Sequence, residues 1–186
     1  MTKILRIDSS ARTEGSVSRQ LADRYMARLS GDVTTRDLAG GLPHLDATWT
    51  GATFTPPEAR SDDQNAALAL SDKLLAEVQD ADTIVISSPI YNFTIPSTLK
   101  AWLDHLARVG VSFTYTEDGP KGLLGDKRVV VLLASGGVPV GSPYDFASPY
   151  LKQMFGFMGI TNVEIIGAAG DAGLADAEAG IDALAA

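Results

Sequence analysis

The chain of 186 residues contains no cysteine, which excludes disulfides, thiolate metal sites, a cysteine nucleophile and a CxxC redox centre. It has only two histidines, His44 and His105, so we expect no metal centre built from several histidines. No apolar run approaches the ~20 residues that a membrane-spanning helix needs. No stretch clusters the basic residues that nucleic-acid binding requires. We therefore expect no membrane, no nucleic acid and no metal as a partner.

The charge balance is acidic, since 23 Asp and Glu residues against 15 Lys and Arg residues give a net charge of -8. The length is that of one sizeable domain, and such a chain can bury about 70% of its unfolded surface. We expect residues 1–186 to form a single domain. The opening MTKILRIDSS becomes polar at Asp8 and lacks the long apolar core of a secretory signal, so the expected location is the cytoplasm.

Short apolar runs alternate with longer segments of helical periodicity. Strands are predicted at residues 4–7, 33–37, 83–86, 129–133 and 163–166. Two of them, TIVI and VVVLL, are apolar enough to be buried on both faces of a parallel sheet. Helices are predicted after Ser16 and around residues 70–78, 99–106, 151–158 and 175–184, while segment 39–63 is predicted to be an irregular loop with a functional or interface role. This order predicts an α/β fold, a three-layer αβα sandwich around a five-stranded parallel sheet in the flavodoxin-like order 2-1-3-4-5.

In such a sheet, ligands bind beyond the carboxyl ends of the strands. The loop after the first strand, DSSARTEGSVSR, has neither GxGxxG nor GxxxxGK[ST], which argues against a Rossmann site and a P-loop. It offers several serines, and Ser16 is placed to begin a helix whose free N–H groups could bind a phosphate. The alternative is that these serines only cap the helix and turn the chain.

Two further loops end at the same edge of the predicted sheet. The loop SSPIYNFTIP, residues 87–96, places Tyr91 and Phe93 where they suit a flat aromatic ligand, although this loop taken alone favours simple packing, since apolar residues usually lie in the core. The loop ASGGVPVGSPY, residues 134–144, contains a Gly-Gly pair that allows close approach of the backbone to a ligand. By itself, that pair could also form an ordinary turn.

Taken together, these loops and the segment GVSFTYTEDGPKGLL, residues 110–124, resemble the FMN-dependent NADH-azoreductases, a flavodoxin-like family of NAD(P)H:quinone and azo oxidoreductases. The resemblance runs from KILRIDSS to FGFMGITNVEIIGAAG. It implies non-covalent FMN, NADH or NADPH as electron donor, and a quinone or azo acceptor. It also implies ping-pong transfer of hydride, with the site near the interface of a homodimer.

The resemblance also implies which residues bind the cofactor, while the flavin itself carries the chemistry and no catalytic side chain is needed. The phosphate would be held by Ser10, Ser16, Val17 and Ser18, the isoalloxazine ring by Ile90, Tyr91, Asn92 and Phe93, and its pyrimidine side by Ala134, Ser135, Gly136 and Gly137. Phe113 and Tyr115 are candidates for a substrate wall, with simple packing as an equal alternative. His105 is expected to be an exposed or interface residue of its helix rather than a catalytic acid.

Three other classes compete with this interpretation. A flavodoxin-type electron carrier would share the fold and FMN but lack activity with nicotinamide. A receiver-type signalling module needs acidic residues at the strand ends, whereas the third strand ends in Ser87, Ser88 and Pro89. A serine hydrolase would carry GxSxG, which the sequence lacks.

Overall fold

The computed structural model describes residues 1–184 and alternates strands with helices. In chain order the elements are β1 (Lys3–Asp8), α1 (Val17–Met26), β2 (Asp32–Asp37), α2 (Ala47–Thr53), α3 (Asp62–Asp80), β3 (Thr83–Pro89), α4 (Ser97–Leu106), β4 (Phe113–Thr116), β5 (Gly119–Gly122), β6 (Arg128–Ser135), α5 (Ala147–Phe157), β7 (Asn162–Ala169) and α6 (Leu174–Leu184). Short 3-10 turns lie at Pro57–Ala59 and Asp171–Gly173. Within these residues, no helix combines the length and apolarity needed to cross a bilayer.

Five of the strands form one parallel sheet in the order β2-β1-β3-β6-β7. Without the separate β4–β5 hairpin, this is the order 2-1-3-4-5, so the predicted flavodoxin-like sandwich is confirmed. The apolar sequences of β3 and β6 fill the middle of the sheet, where Val85 and Val130 are fully buried. The polar β2, DVTTRD, lies exposed at one edge of the sheet.

Alternate side chains of each central strand face opposite layers of helices. Ile84 and Ile86 pack in one core with residues of α3, α4 and α5, whereas Val85 packs in a second core with α1 and α6. This alternation follows from the two-residue period of a strand. Both faces of the sheet are therefore covered, and its carboxyl edge is left for the loops that follow β1, β3, β6 and β7.

Segment 39–63 differs from the predicted irregular loop, because it contains α2. Asp46 begins this helix by accepting a hydrogen bond from the backbone N–H of Trp49 at 2.7 Å. Trp49 then packs with Leu68 of α3 in a small separate core. The helix has seven residues, ATWTGAT, which is too few to show a helical period in the sequence.

The expected exposed or interface position of His105 is wrong, because the structure buries this residue inside the chain to 3% exposure. Its Nε2 lies 3.0 Å from the carbonyl oxygen of Pro43, and its ring meets Trp49 edge-on at 5.8 Å. The histidine therefore anchors segment 39–63 on α4. Trp102, on the same helix, is fully buried in the core.

The β4–β5 hairpin was not predicted, because each strand has only four residues. The hairpin lies against the end of α5, where the backbones of Gly122 and Gly159 approach each other closely. A Cβ atom on Gly122 would lie 2.0 Å from the Gly159 nitrogen.

Gly122→Ala is expected to lower the free energy of unfolding by at least about 1–3 kcal/mol, because the added methyl group overlaps backbone that cannot move aside. Equilibrium denaturation would measure the loss. Gly125→Ala is the matched control, since the nearest atom to its Cβ would be the Gly159 carbonyl oxygen at 3.8 Å. Equal midpoints for the two variants would contradict this close contact.

Candidate functional site

A cavity of about 460 Å³ opens at the carboxyl edge of the sheet. Its lining includes Ser10, Ser16, Val17 and Ser18 from the loop after β1 and the start of α1. From the loops after β3 and β6 it includes Ile90, Tyr91, Ala134, Ser135 and Gly136. The structure thus brings together nine of the twelve residues proposed for cofactor binding, while Asn92, Phe93 and Gly137 lie outside this lining.

The start of α1 forms one end of the cavity. Ser16 occupies the N-cap position, but within the described chain its side chain makes no capping hydrogen bond. Its hydroxyl instead lies 3.2 Å from the hydroxyl of Ser18, and the two residues are 6% and 1% exposed. The first N–H groups of a helix have no partner within the helix. Two buried hydroxyls and these N–H groups make a donor set suited to a phosphate.

The carboxylate of Asp8, at the end of β1, lies buried behind this loop. Its Oδ2 is 2.9 Å from Nε of Arg6 and 3.6 Å from a guanidinium nitrogen of Arg19. Its Oδ1 accepts a hydrogen bond from the hydroxyl of Ser87 at 2.6 Å. Because two cations and a hydroxyl compensate the negative charge, Asp8 is compatible with an anion bound nearby.

Arg19 also fixes the shape of the loop. It donates to the backbone carbonyl of Ser10 at 3.0 Å and to both carboxylate oxygens of Asp37 at 2.8 Å. The hydrogen bond from Arg19 holds the pKa of Asp37 below its ordinary value. The charge of Arg19 is therefore matched inside the protein, and Arg12 is the cation that lines the cavity itself.

The loop after β3 makes a tight turn. The N–H of Tyr91 donates to the carbonyl of Thr94 at 2.9 Å, and the N–H of Thr94 donates back at 3.1 Å. The two central residues, Asn92 and Phe93, have φ values of 47° and 72°. Positive φ at both central positions is the mark of a type I′ turn, and it costs about 1–3 kcal/mol where a bulky residue such as phenylalanine adopts it. Strain of this kind is often kept at ligand-binding sites.

The loop after β6 presents backbone to the cavity. The hydroxyl of Ser135 accepts from the N–H of Val138 at 2.8 Å and donates to its carbonyl at 2.7 Å, so this side chain holds the turn. Gly136 follows and lines the cavity. Among the described residues, no atom lies within 4 Å of a Cβ built on Gly136. The space beside this backbone is therefore open to a flat ligand.

Residues 2–186 match the family model described as the flavodoxin-like fold. The chain belongs to this flavodoxin-like family. It is 55% identical over 166 residues to FMN-dependent NADH:quinone oxidoreductase 1 of Jannaschia sp. (strain CCS1), covering 89% of this chain and 87% of that one. It is 47% identical over 196 aligned positions to an FMN-dependent NADH:quinone oxidoreductase of Cereibacter sphaeroides (strain KD131 / KCTC 12085), covering 100% of both chains.

A solved structure gives the same fold with a ligand bound. The FMN-dependent NADH-azoreductase from Bacillus anthracis str. Ames Ancestor, in complex with FMN, superposes with a TM-score of 0.85 at 26% identity and covers 100% of both chains.

Sequence reasoning about this flavodoxin-like chain missed a fourth loop at the cavity. Gly170, Asp171 and Leu174, which follow β7, belong to the lining. The loop is tied to its neighbour by a hydrogen bond from the N–H of Gly170 to the carbonyl of Ser135 at 2.8 Å. The predicted strand order places the last strand beside the fourth, so topology could have indicated this loop, although its residues carry no motif.

Phe113 and Tyr115 do not line the cavity of their own chain. Phe113 is 8% exposed and packs on Phe157 with ring centroids 4.4 Å apart. Tyr115 meets Phe113 edge-on at 5.6 Å and remains 69% exposed. A role as substrate wall stays a prediction, and it would require Tyr115 to reach the cavity of a partner subunit.

A second cavity, of about 500 Å³, lies beside the turn at Tyr91 and is lined by Lys100 and Tyr150 among others. The Tyr150 hydroxyl is buried and has no hydrogen-bond partner within residues 1–184. Burial raises the pKa of Tyr150 to about 12, and the negative charge of Asp104 adds to the effect. The neutral phenol is therefore favoured in the folded state.

This shift predicts a loss of stability in alkali. The pKa of Tyr150 is raised from 10.0 to about 12 in the folded protein. The stability that depends on the neutral phenol is therefore complete below pH 10 and is lost as the pH rises toward 12. In Tyr150→Phe this part of the pH dependence should disappear. Denaturation of both proteins across this range would measure it, and identical pH profiles would show that the phenol ionises as freely in the fold as in the unfolded chain.

Proposed function

We propose that this protein is an FMN-dependent NADH:quinone oxidoreductase that also reduces azo compounds. The observation that carries the proposal is a single cavity that joins the serine-lined start of α1 to the open backbone at Gly136. One end suits a phosphate and the other a flat ring, which are the two ends of FMN. The relatives named above carry this activity in their names.

The residues present fit FMN bound without a covalent bond. The hydroxyls of Ser10, Ser16 and Ser18 and the first N–H groups of α1 would hold the phosphate, with Arg12 adding a positive charge at the cavity. Local donors are needed because a protein of net charge -8 repels an anion at longer range. Ile90 and Tyr91 would contact the ribityl chain and the ring, and the backbone at Gly136 would reach the polar edge of the ring.

Bound FMN supplies hydride transfer between a nicotinamide and an acceptor, which no side chain of this chain can carry out alone. The protein would bind FMN, orient it and cover part of its surface. Aromatic side chains stand exposed around the turn after β3 and the loop after β6, with Phe93 at 53%, Tyr144 at 66% and Phe146 at 58% exposure. They offer an apolar surface on which a quinone or azo compound can stack. Donor and acceptor would use one site in turn, which gives ping-pong kinetics.

The proposal includes a homodimer with the cavity near the interface. Its support is the exposed Tyr115 on a hairpin that does not reach the cavity of its own chain. Sedimentation equilibrium would give the mass of the assembly, and a monomer would remove this part of the proposal. A single-domain organisation and a cytoplasmic location stay predictions.

The visible absorption spectrum of the purified, desalted protein tests the function directly. Flavin bands are expected, and addition of NADH should bleach them until a quinone restores them. A matched assay with NADPH would set the coenzyme preference. A yellow protein that turns over with neither coenzyme would contradict the reductase and indicate an electron carrier, and a protein that binds no flavin would exclude both.

A further inference from the structure

Asp145 lies just before α5 and is 4% exposed, and its two carboxylate oxygens bind different parts of the chain. Oδ1 accepts hydrogen bonds from the backbone N–H groups of Ala147 at 3.0 Å and Ser148 at 2.9 Å, the first two residues of α5. Oδ2 accepts from the N–H of Gly141 at 2.8 Å and from the Ser148 hydroxyl. The N–H groups at the start of α5 need only the first oxygen. The second ties the loop after β6 to the helix.

The same loop is bonded to the strained turn at the flavin site. The N–H of Phe146, the residue after Asp145, donates to the carbonyl of Phe93 at 3.0 Å. The rings of Phe93 and Tyr144 lie 6.3 Å apart. Phe93 has a φ of 72°, so its conformation needs support from its surroundings. Asp145 therefore stands at the junction of the two loops that flank the ring end of the cavity.

We propose that Asp145 is a positioning residue for the flavin. It fixes the loop between Gly136 and Phe146 and, through Phe146, holds the turn at Asn92 and Phe93, which places Tyr91 at the lining of the cavity. The proposal rests on the proposed function, since it presumes FMN in the cavity. It assigns Asp145 no contact with FMN and no part in proton transfer.

Asp145→Asn separates the two tasks of the carboxylate. The asparagine oxygen can still accept hydrogen bonds from the N–H groups of Ala147 and Ser148, so the first turn of α5 keeps its partner. Its amide group would face the N–H of Gly141, so two donors would meet and the loop would lose its attachment. We expect the dissociation constant for FMN to rise about tenfold, and the visible circular dichroism of bound FMN to change. The melting temperature of the apoprotein should change little.

Asp46→Asn is the matched control. Asp46 caps α2 through its hydrogen bond from Trp49 N–H, so this variant loses the same charge at a helix start outside the lining of the cavity. Its affinity for FMN should equal that of the wild type. Ser148→Ala provides a second test that leaves the charge in place, because it removes only the hydroxyl donor to Oδ2, and its dissociation constant should rise about threefold.

The outcomes are distinct. Weaker binding in Asp145→Asn, with an altered spectrum and normal binding in Asp46→Asn, would support the proposal. Unchanged affinity and spectrum in Asp145→Asn, while the wild type binds FMN, would overturn it and leave the proposed function intact. If the wild-type apoprotein binds no FMN, the proposed function itself fails. If Asp145→Asn does not fold, Ser148→Ala decides, and an unchanged dissociation constant there would overturn the proposal.

Discussion

Replacement of Ser16 and Ser18 together with aspartate is expected to weaken FMN binding by more than 100-fold, which corresponds to about 2.8 kcal/mol. The two hydroxyls lie 3.2 Å apart at the buried start of α1. Two carboxylates there would meet the phosphate of FMN as like charges. At 4 Å, one such pair repels by about 4 kcal/mol at the effective dielectric constant of a protein surface. Titration of apoprotein with FMN, followed by quenching of flavin fluorescence, would measure the loss.

Ser16→Asn with Ser18→Asn is the matched control, because asparagine has nearly the size of aspartate without its charge. This variant should bind FMN more tightly than the aspartate variant by at least tenfold. Riboflavin, which lacks the phosphate, should discriminate much less between the two proteins. If the aspartate variant kept its flavin through desalting, the phosphate would have to lie elsewhere in the cavity.

The main elements of the fold could be predicted from the sequence because their signals are local. The run VVVLL in β6 is buried on both faces and needs no partner to be recognised as a strand. By contrast, α2 and the β4–β5 hairpin are short, and tertiary contacts hold them. The Trp49 side chain, for example, packs on Leu68 and His105, which are distant in sequence.

The candidate site likewise has features that local sequence predicts and features that it does not. The serines at the start of α1 and the glycine at position 136 could be predicted because strand ends of a parallel sheet meet at one edge. The positive φ of Phe93 could not, because phenylalanine rarely adopts it. Its support comes from Phe146, more than fifty residues along the chain. The pairing of Asp8 with Arg6 and Arg19 likewise depends on the folded structure.

Gly136→Leu is expected to abolish FMN binding without unfolding the protein. The glycine lines the cavity, and apart from its two chain neighbours no residue of 1–184 comes within 4 Å of a Cβ built there. A leucine side chain can therefore be accommodated in the apoprotein, where it would occupy the space proposed for the ring. Binding of FMN should weaken by more than about 100-fold, since overlap with a packed ligand cannot relax within a rigid cavity. The same titration with FMN would measure the effect.

Gly51→Leu separates loss of the ligand site from a general effect of the larger side chain. Gly51 lies in α2, and among the described residues nothing comes within 4 Å of its Cβ position either. The change should stabilise α2 by up to about 1 kcal/mol, because leucine has the higher helix propensity, and should leave FMN affinity unchanged. Both leucine variants should then melt near the wild-type temperature as apoproteins, while only Gly136→Leu loses stabilisation by FMN. If Gly136→Leu retained full affinity, the ring could not lie against this backbone, whereas the phosphate assignment at α1 would still stand on the serine variants.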